Sequence, residues 1–240
     1  MERIDEIGFG GLRLIQDSEE FCYGIDSVLL SSYAKIKKDS VVIDLGTGNG
    51  ILPLVLSHKT DALKIIGVEL QQKVCELAKR NVVFNGLEKR IEIINADVKD
   101  LASHFSANSF DAVVSNPPYI EKNAGIENQH HAKTLARHET TAGLEAFFSA
   151  ASYLLKCRGD FFLVYRPARL VDSMALGRSY SLELKSIRLI HPNKSSLPNI
   201  VLLHFVKNGK PELRFEKPLY IYKKNGNYTA EVLEIYERDS

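Results

Sequence analysis

The sequence has few cysteines, no long apolar run and almost no net charge. Cys22, Cys75 and Cys157 are scattered and lack the spacing of a metal site, which indicates a reducing compartment. No apolar run approaches the roughly 18 residues of a membrane span, and the acidic N-terminus lacks the apolar stretch of a signal peptide. We therefore expect a cytoplasmic, monomeric protein with neither a membrane nor a metal as partner.

The net charge of +1 is unevenly distributed along the chain. Residues 1–120 carry 13 basic and 17 acidic residues, a net charge of −4, whereas residues 121–240 carry 18 and 13, a net charge of +5. The overall balance is less basic than that of typical nucleic-acid-binding domains, whose pI exceeds about 9. The asymmetry is compatible with chance variation over two solvated surfaces. It also favours an acidic half that binds a cofactor and a basic half that meets a polyanion.

From residue 41 onward, apolar strands alternate with helical patterns, which predicts a doubly wound, Rossmann-like α/β fold with a largely parallel seven-stranded sheet. The expected strands are 41–45, 65–70, 91–94, 110–115, 160–165, 184–190 and 200–206. The expected helices are 51–58, 71–84, 141–157 and 168–176. No helix separates the last two strands, so we expect an antiparallel pair at the sheet edge.

We predict a single domain over residues 1–240, because neither a repeat nor a low-complexity linker interrupts the chain. Residues 1–40 would form an N-terminal hairpin and helix, 41–206 the core, and 207–240 a mostly irregular tail with an extended stretch at 219–222. In the first part, residues 7–16 suggest a hairpin with glycine at the turn, and Asp26 is expected to be the N-cap of a helix over 27–34. Tyr23 and its apolar neighbours would either staple the helix entry or cover a ligand.

A glycine-rich turn closes the first strand of the predicted core: Asp44, Leu45, Gly46, Thr47, Gly48, Asn49, Gly50. Glycines let the backbone approach a ligand closely at the start of a helix. The spacing differs from G-x-G-x-x-G, and Asp44 adds a negative charge. Together these features disfavour a pyrophosphate and favour a cationic ligand.

Acidic residues also end the next two strands. Glu69 stands 19 residues after Gly50, where a carboxylate can accept hydrogen bonds from ribose hydroxyls. Asp97 can accept from an adenine amino group while Val98 packs on the ring. A ligand with a ribose, an adenine, a positive charge and no phosphate matches S-adenosylmethionine.

Asn116, Pro117, Pro118 and Tyr119 follow the fourth strand, at an edge where open α/β sheets bind ligands. Asn116 offers a side-chain oxygen as acceptor, the prolines stiffen the loop, and Tyr119 offers a flat face for stacking. A rigid structural turn would also contain such residues. Because the tetrapeptide follows the glycine-rich turn and the two acidic strand ends along the chain, it predicts a slot for a planar group that bears an NH2. Asn116, Pro117 and Tyr119 are the predicted catalytic residues.

Residues 44–50 resemble the first motif of class I methyltransferases, and residues 116–119 resemble the N-P-P-Y motif of enzymes that methylate planar amides and exocyclic amines. More narrowly, the chain resembles the bacterial methyltransferases that act on N6 of the adenine next to the anticodon of valine tRNA. Residues 23–27, 136–139, 165–170 and 210–222 extend this resemblance, the last three toward its Gram-positive branch. It implies S-adenosylmethionine binding by Tyr23, Asp26, Asp44, Gly46, Gly48, Asn49, Gly50, Glu69, Asp97, Val98 and Asn116.

Two other functions remain open from the sequence. Release-factor glutamine methyltransferases resemble the slot and commonly have Ile after the tetrapeptide, as Ile120 does here, but they carry a longer N-terminal helical domain. A non-catalytic cofactor-binding or RNA-binding module would share the fold. For an RNA substrate, segment 121–140 suggests a substrate flap, and the candidate RNA contacts are Lys122, Arg137, Arg166, Arg169 and Lys194. His130, His131 and His138 lack ligand partners at metal-site spacing.

Overall fold

The computed structural model describes residues 2–17, 24–118 and 143–237. Four of the predicted site residues lie outside these ranges: Tyr23, Tyr119, Lys122 and Arg137. So do the three histidines of segment 121–140 and Ile120.

The main sheet contains seven long strands and two short ones within the described residues. The long strands are β3 (Val41–Leu45), β4 (Lys64–Glu69), β5 (Ile91–Asn95), β6 (Phe110–Ser115), β7 (Leu155–Tyr165), β8 (Leu182–His191) and β9 (Ile200–Lys207). The short strands are β10 (Arg214–Phe215) and β11 (Leu219–Tyr220), and both pair with β8 in parallel.

The strand order is β10-β8-β9-β7-β6-β3-β4-β5, with β11 also on β8. Strands β5, β4, β3, β6 and β7 are mutually parallel, whereas β9 is antiparallel to both β7 and β8. The predicted α/β fold and the antiparallel pair are therefore confirmed. The antiparallel strand β9 is not at the edge, however, because β8 and the two short strands lie outside it.

Helices cover both faces of the sheet. They are α1 (Ile25–Tyr33), α2 (Ile51–Lys59), α3 (Gln72–Phe84), α4 (Leu144–Leu154), α5 (Leu170–Ser179) and α6 (Ala230–Ile235), with 3-10 turns at Leu101–Ser103 and Pro167–Arg169. One apolar core packs α1, α2, α3 and α6 against the sheet, and a second packs α4 and α5 against the opposite face. None of the described helices combines the length and apolar content needed to cross a bilayer.

The N-terminal hairpin forms a separate two-stranded sheet of β1 (Glu2–Gly8) and β2 (Leu12–Asp17). Its glycine turn is confirmed, although β1 starts earlier than residue 7. Asp26 is not the N-cap of α1. Gly24 takes that position with extended backbone and no side-chain cap, so Asp26 lies in the first helical turn.

Two further boundaries differ from the sequence prediction. The helix expected to reach Cys157 ends at Leu154, because Leu155 already pairs with Phe110 of β6. The tail beyond residue 207 is less irregular than expected: β10, β11 and α6 occupy part of it, and the extended stretch at 219–222 is confirmed by β11. Pairing with β8, which is remote in sequence from the tail, stabilises these short strands.

Candidate active site

The two loops predicted to bind ligands leave the sheet side by side. Residues Leu45 of β3 and Ser115 of β6 are paired in register, and the Ser115 hydroxyl donates to the Leu45 carbonyl at 2.7 Å. The chain runs outward through β3, β4 and β5 and then returns to β6 on the other side of β3. The topological switch point therefore lies between Gly46 and Asn116, which is where open α/β sheets bind their ligands.

The glycine turn is fixed by its backbone. The amides of Gly46 and Thr47 both donate to the Val68 carbonyl, at 3.0 and 2.8 Å. Gly46 and Gly50 have φ values of +75° and +84°, a region that side-chain-bearing residues rarely adopt. Around Gly48, no described atom outside Gly48 and its two chain neighbours lies within 4 Å of where a Cβ would stand. The turn thus presents bare backbone to a ligand at the start of α2, as predicted for this motif.

Asp44 is a buried carboxyl group with no hydrogen-bond partner among the described residues. Its side chain is 1% exposed, and no hydrogen bond of good geometry reaches either oxygen from the described residues. Burial raises its pKa to about 7; the nearby Thr47 hydroxyl lowers that pKa, and the Glu69 charge raises it further. A buried acid of this kind is suited to a cationic or hydrogen-bond-donating ligand.

Glu69 is the last residue of β4, and its side chain connects the end of that strand to the glycine turn. One oxygen accepts from the Gly48 amide at 2.9 Å and the other from the Gln71 amide at 2.9 Å. Burial raises the pKa of Glu69, and these backbone hydrogen bonds oppose the shift. A carboxylate oxygen can accept more than one hydrogen bond, so Glu69 can brace the turn and still accept from a ribose hydroxyl.

Asp97 and Val98 follow β5 at the same edge. The Asp97 side chain accepts from the Lys99 amide at 2.9 Å and is partly exposed, with one oxygen engaged in this local turn. Val98 is buried within the core between the sheet and α4. Together with Asp44 and Glu69, Asp97 gives three acidic groups at the ends of neighbouring strands, a set of hydrogen-bond acceptors that fits the adenosyl group and cation of S-adenosylmethionine. The individual contacts to this cofactor stay predictions.

Asn116 is half-buried, and its amide nitrogen donates to the Ser27 hydroxyl of α1 at 3.0 Å. This bond fixes the nitrogen end of the amide against α1, so the oxygen end is the acceptor that Asn116 offers. Asp26 lies beside Ser27 in the first turn of α1 and is also half-buried. The structure thus joins the 23–27 motif to the tetrapeptide. Ser27 lies within that motif but was not among the predicted site residues.

Asn81 is a second residue that the sequence analysis missed. It is fully buried in α3, accepts from the Ile15 amide at 2.7 Å, and donates to the carbonyls of Ile15 and Asn49 at 3.0 and 2.9 Å. It therefore ties the N-terminal hairpin to the glycine turn. A polar residue on the apolar face of an amphipathic helix, next to Ala78 and Val82, was the available signal.

Three predicted RNA contacts lie at this same edge of the sheet. Arg166 follows β7 directly and donates to the Asn199 carbonyl at 3.0 Å. Arg169 is 2.9 Å from a carboxylate oxygen of Asp172, although its Nε–H is not aligned for a hydrogen bond. Lys194 is exposed in the loop between β8 and β9. Within the described ranges, no group of three or more His, Cys, Asp or Glu side chains could hold a metal.

Comparison with known proteins places this chain in a family. The model of the methyltransferase small domain matches residues 23–180. A tRNA1(Val) (adenine(37)-N6)-methyltransferase of Citrobacter koseri is 32% identical and covers 76% of this chain and 74% of its own. One of the same name from Haemophilus influenzae is 30% identical and covers 95% and 94%, respectively.

Solved structures agree with the fold. A predicted O-methyltransferase from Agrobacterium tumefaciens has a TM-score of 0.71 at 23% identity and covers 88% of this chain and 95% of its own. TYW2 of P. horikoshii, in complex with MeSAdo, has a TM-score of 0.58 at 16% identity and covers 83% and 69%. These likenesses establish the class I methyltransferase fold. The chain therefore belongs to the methyltransferase small domain family and, within it, to the group of the tRNA1(Val) (adenine(37)-N6)-methyltransferases.

Proposed function

We propose that this protein transfers a methyl group from S-adenosylmethionine to the exocyclic N6 amine of an adenine in tRNA. The names of its relatives specify the substrate as adenine 37 of valine tRNA. The observation that carries the proposal is the position of Asn116. It stands at the switch point beside the glycine turn, with its amide nitrogen held by Ser27 at 3.0 Å.

S-adenosylmethionine, when bound, would supply an activated methyl group on a sulfonium. The amine nitrogen would bond to that carbon as the carbon–sulfur bond breaks, and the methylated nitrogen would then release one proton to solvent. Because that methyl group is already activated, the reaction requires no metal. Asp44 provides a buried negative charge near the cation, and the carboxylate of Glu69 accepts from the ribose. The backbone around Gly48 is open to the ligand. These residues bind and orient S-adenosylmethionine. Alignment of the reacting atoms accounts for much of the acceleration of methyl transfer.

The adenine amine is a weak nucleophile because its lone pair is delocalised into the ring. The Asn116 side-chain oxygen and the Pro117 carbonyl are the acceptors for its two N–H groups. They favour the pyramidal nitrogen and stabilise the positive charge that grows on it during attack. Tyr119 is assigned to stack on the base, a contact worth roughly 1–3 kcal/mol in nucleic-acid complexes. The base must leave its stack to reach this edge.

The decisive experiment offers total tRNA, total protein and DNA in parallel to the purified protein with labelled cofactor. Label in tRNA, recovered as N6-methyladenosine, supports the proposal. Label in protein alone would replace it with glutamine methylation. In vivo, tRNA from a deletion strain should lack the N6-methyladenosine present in the parent strain; unchanged levels would contradict the tRNA assignment.

The compartment, the oligomeric state and the lack of a metal remain part of the proposal. A tRNA substrate and free cysteines are compatible with the reducing cytoplasm; Cys75 and Cys157 are both unpaired. We expect the monomer to carry the activity. Sedimentation at working concentration tests this.

A further inference from the structure

The segment after β9 returns to the active edge of the sheet. It runs parallel to β8: Leu219 and Tyr220 pair with Ile190 and His191, and the Tyr222 amide then donates to the Pro192 carbonyl at 2.8 Å. Because β8 is antiparallel to β9, and β9 to β7, the end of β8 lies at the same edge as Asn116. Four strand spacings separate β6 from β11, which is about 19 Å.

A tight turn then forms between Tyr222 and Tyr228, which we call the Tyr222 turn. Lys223 donates its amide to the Asn227 carbonyl at 2.7 Å, and Gly226 donates to the Lys223 carbonyl at 3.1 Å with a φ of +82°. The first and last residues of the turn are bridged as in an antiparallel pair. These contacts fix the backbone from which the exposed side chains project.

An aromatic column supports the Tyr222 turn from below. Successive ring centroids are 5.4 Å apart for Tyr222 and Tyr228, 5.8 Å for Tyr228 and Tyr236, and 6.0 Å for Tyr236 and Phe9. All three pairs are stacked, with interplanar angles of 16°, 10° and 26°. Phe9 is 2% and Tyr236 6% exposed, whereas Tyr222 is 41% exposed. The column thus begins in the core and ends on a ring at the surface.

Two lysines follow that exposed tyrosine in the sequence. Lys223 and Lys224 are both exposed, and within the described part of the chain neither forms a salt bridge. No carboxylate lies within residues 222–228, so the turn carries a charge of +2. Packing in the core explains the positions of the Tyr228, Tyr236 and Phe9 rings. It does not explain why the outermost ring and two cations are presented together at the edge where the substrate adenine is methylated.

We propose that the Tyr222 turn is a second RNA-binding site, outside the methyl-transfer site. The Tyr222 ring stacks on an unpaired base of the substrate RNA, and Lys223 and Lys224 bind the adjacent phosphates. Single-stranded RNA is commonly held by an aromatic face beside cations, and a rigid support lowers the entropic cost of binding. This inference rests on the proposed function, since it requires an RNA substrate.

The absence of tryptophan from the chain allows a direct test. Tyr222→Trp introduces a single indole at the proposed stacking position. Valine tRNA should quench its fluorescence in a saturable manner. The matched control is Tyr153→Trp, because Tyr153 is 37% exposed but lies in α4 next to the start of β7, at the opposite edge. Equal quenching of both indoles, or none of either while tRNA is methylated, would overturn the proposal.

Steady-state kinetics give the second readout. Tyr222→Ala should raise the KM for tRNA about tenfold while kcat and cofactor affinity stay within twofold, and Tyr222→Phe should restore the KM because it keeps the ring. K223A/K224A should lower the slope of log affinity against log salt by about 1.4, at about 0.7 per phosphate contact. The charge-matched control K35A/K38A removes two exposed lysines from the opposite edge.

The outcomes separate this inference from the proposed function. If the unmodified protein does not methylate tRNA, the proposed function fails. If it does, and Tyr222→Ala leaves the KM unchanged with an unaltered melting temperature, only the second site fails. If Tyr222→Ala lowers the melting temperature, the quenching of Tyr222→Trp decides between a binding and a structural role.

Discussion

The carboxyl edge of the sheet is acidic on one side of the switch point and basic on the other. On the β3-β4-β5 side, the carboxyl groups of Asp44 and Glu69 are 1% and 8% exposed. On the β7-β8-β11 side, basic residues such as Lys194 and Lys223 reach solvent, and the carboxylate of Asp172 is paired with Arg169. Asn116 lies between them. The acidic side therefore suits a small cation that the protein can enclose. The basic side suits a polyanion that is too large to be enclosed.

Ligand binding on the two sides should respond differently to pH and to salt. A buried carboxyl group without a partner raises its own pKa, so binding a cation there is coupled to loss of a proton. Exposed lysines keep their charge, but salt screens them and competes for the phosphates. Cofactor affinity should therefore depend mainly on pH, and RNA affinity mainly on ionic strength.

The largest effect is expected at the boundary between the two sides. Asn116→Ala removes the acceptor for the adenine amine and should lower kcat by about 10²–10³, the range for loss of one transition-state hydrogen bond. Cofactor and tRNA affinities should change by only a few fold. Calorimetry for each ligand and single-turnover methyl transfer measure the two effects. Full transfer activity would refute the role of Asn116.

Asp44→Asn tests the acidic side. The variant keeps the shape but loses the charge, so S-adenosylmethionine affinity should fall by about 10–100-fold, as for the loss of 1.5–3 kcal/mol in a charged hydrogen bond. The pKa of Asp44 is about 7 in the unliganded protein. Calorimetry should therefore show wild-type affinity rising between pH 6 and 8 and the variant's affinity nearly constant. A pH-independent wild type would contradict this account.

The same substitution should stabilise the unliganded protein above pH 5. Asp44 has a raised pKa when folded and an ordinary one when unfolded. Between about pH 4 and 7 the folded state holds one proton more than the unfolded state. Stability is therefore lost as pH rises through that window, by up to about 1.4 kcal/mol per pH unit. Urea unfolding at pH 5 and pH 7.5 should show a larger Asp44→Asn gain at the higher pH.

Local sequence patterns predicted the strands and strand-end residues of the acidic side better than those of the basic side. The strand Phe110–Ser115 has the predicted boundaries, and Asp44, Glu69 and Asp97 lie at successive strand ends as expected. A buried strand and its terminal acid are adjacent in sequence, so periodicity and spacing suffice to find them. The sequence also placed Asn116 directly after this strand, where the structure has it, and its catalytic role stays a prediction.

Contacts between distant residues explain what was missed. Asn116 and Ser27 are 89 positions apart, and Asn81 and Ile15 are 66 apart. The strands β10 and β11 are two residues long and depend on pairing with β8. Helix α4 ends early because Leu155 joins the sheet, although its local sequence favours continuation. Propensity cannot anticipate any of these interactions, because each depends on tertiary packing.

Ser27→Ala tests the support that helix α1 gives to Asn116. The hydroxyl accepts from the Asn116 amide at 3.0 Å and is 5% exposed. Its loss should lower kcat by about 5–10-fold, as for one hydrogen bond of roughly 1 kcal/mol. Ser27→Thr keeps the hydroxyl and should restore part of that loss. A change in KM for tRNA with kcat unchanged would show that Ser27 does not position Asn116.

Lys194→Ala tests the basic side and should have the smallest effect. An exposed lysine contributes one phosphate contact, so tRNA affinity should fall only about two- to threefold at physiological salt. The slope of log affinity against log salt should decrease by about 0.7–0.9. Cofactor affinity and its pH dependence should stay as in the wild type, because Lys194 lies across the switch point from Asp44. Lys35→Ala, at the opposite edge of the sheet, serves as the control. If both variants shift the salt slope equally, tRNA is attracted by overall charge, and the division of the edge into an acidic and a basic side would not explain RNA binding.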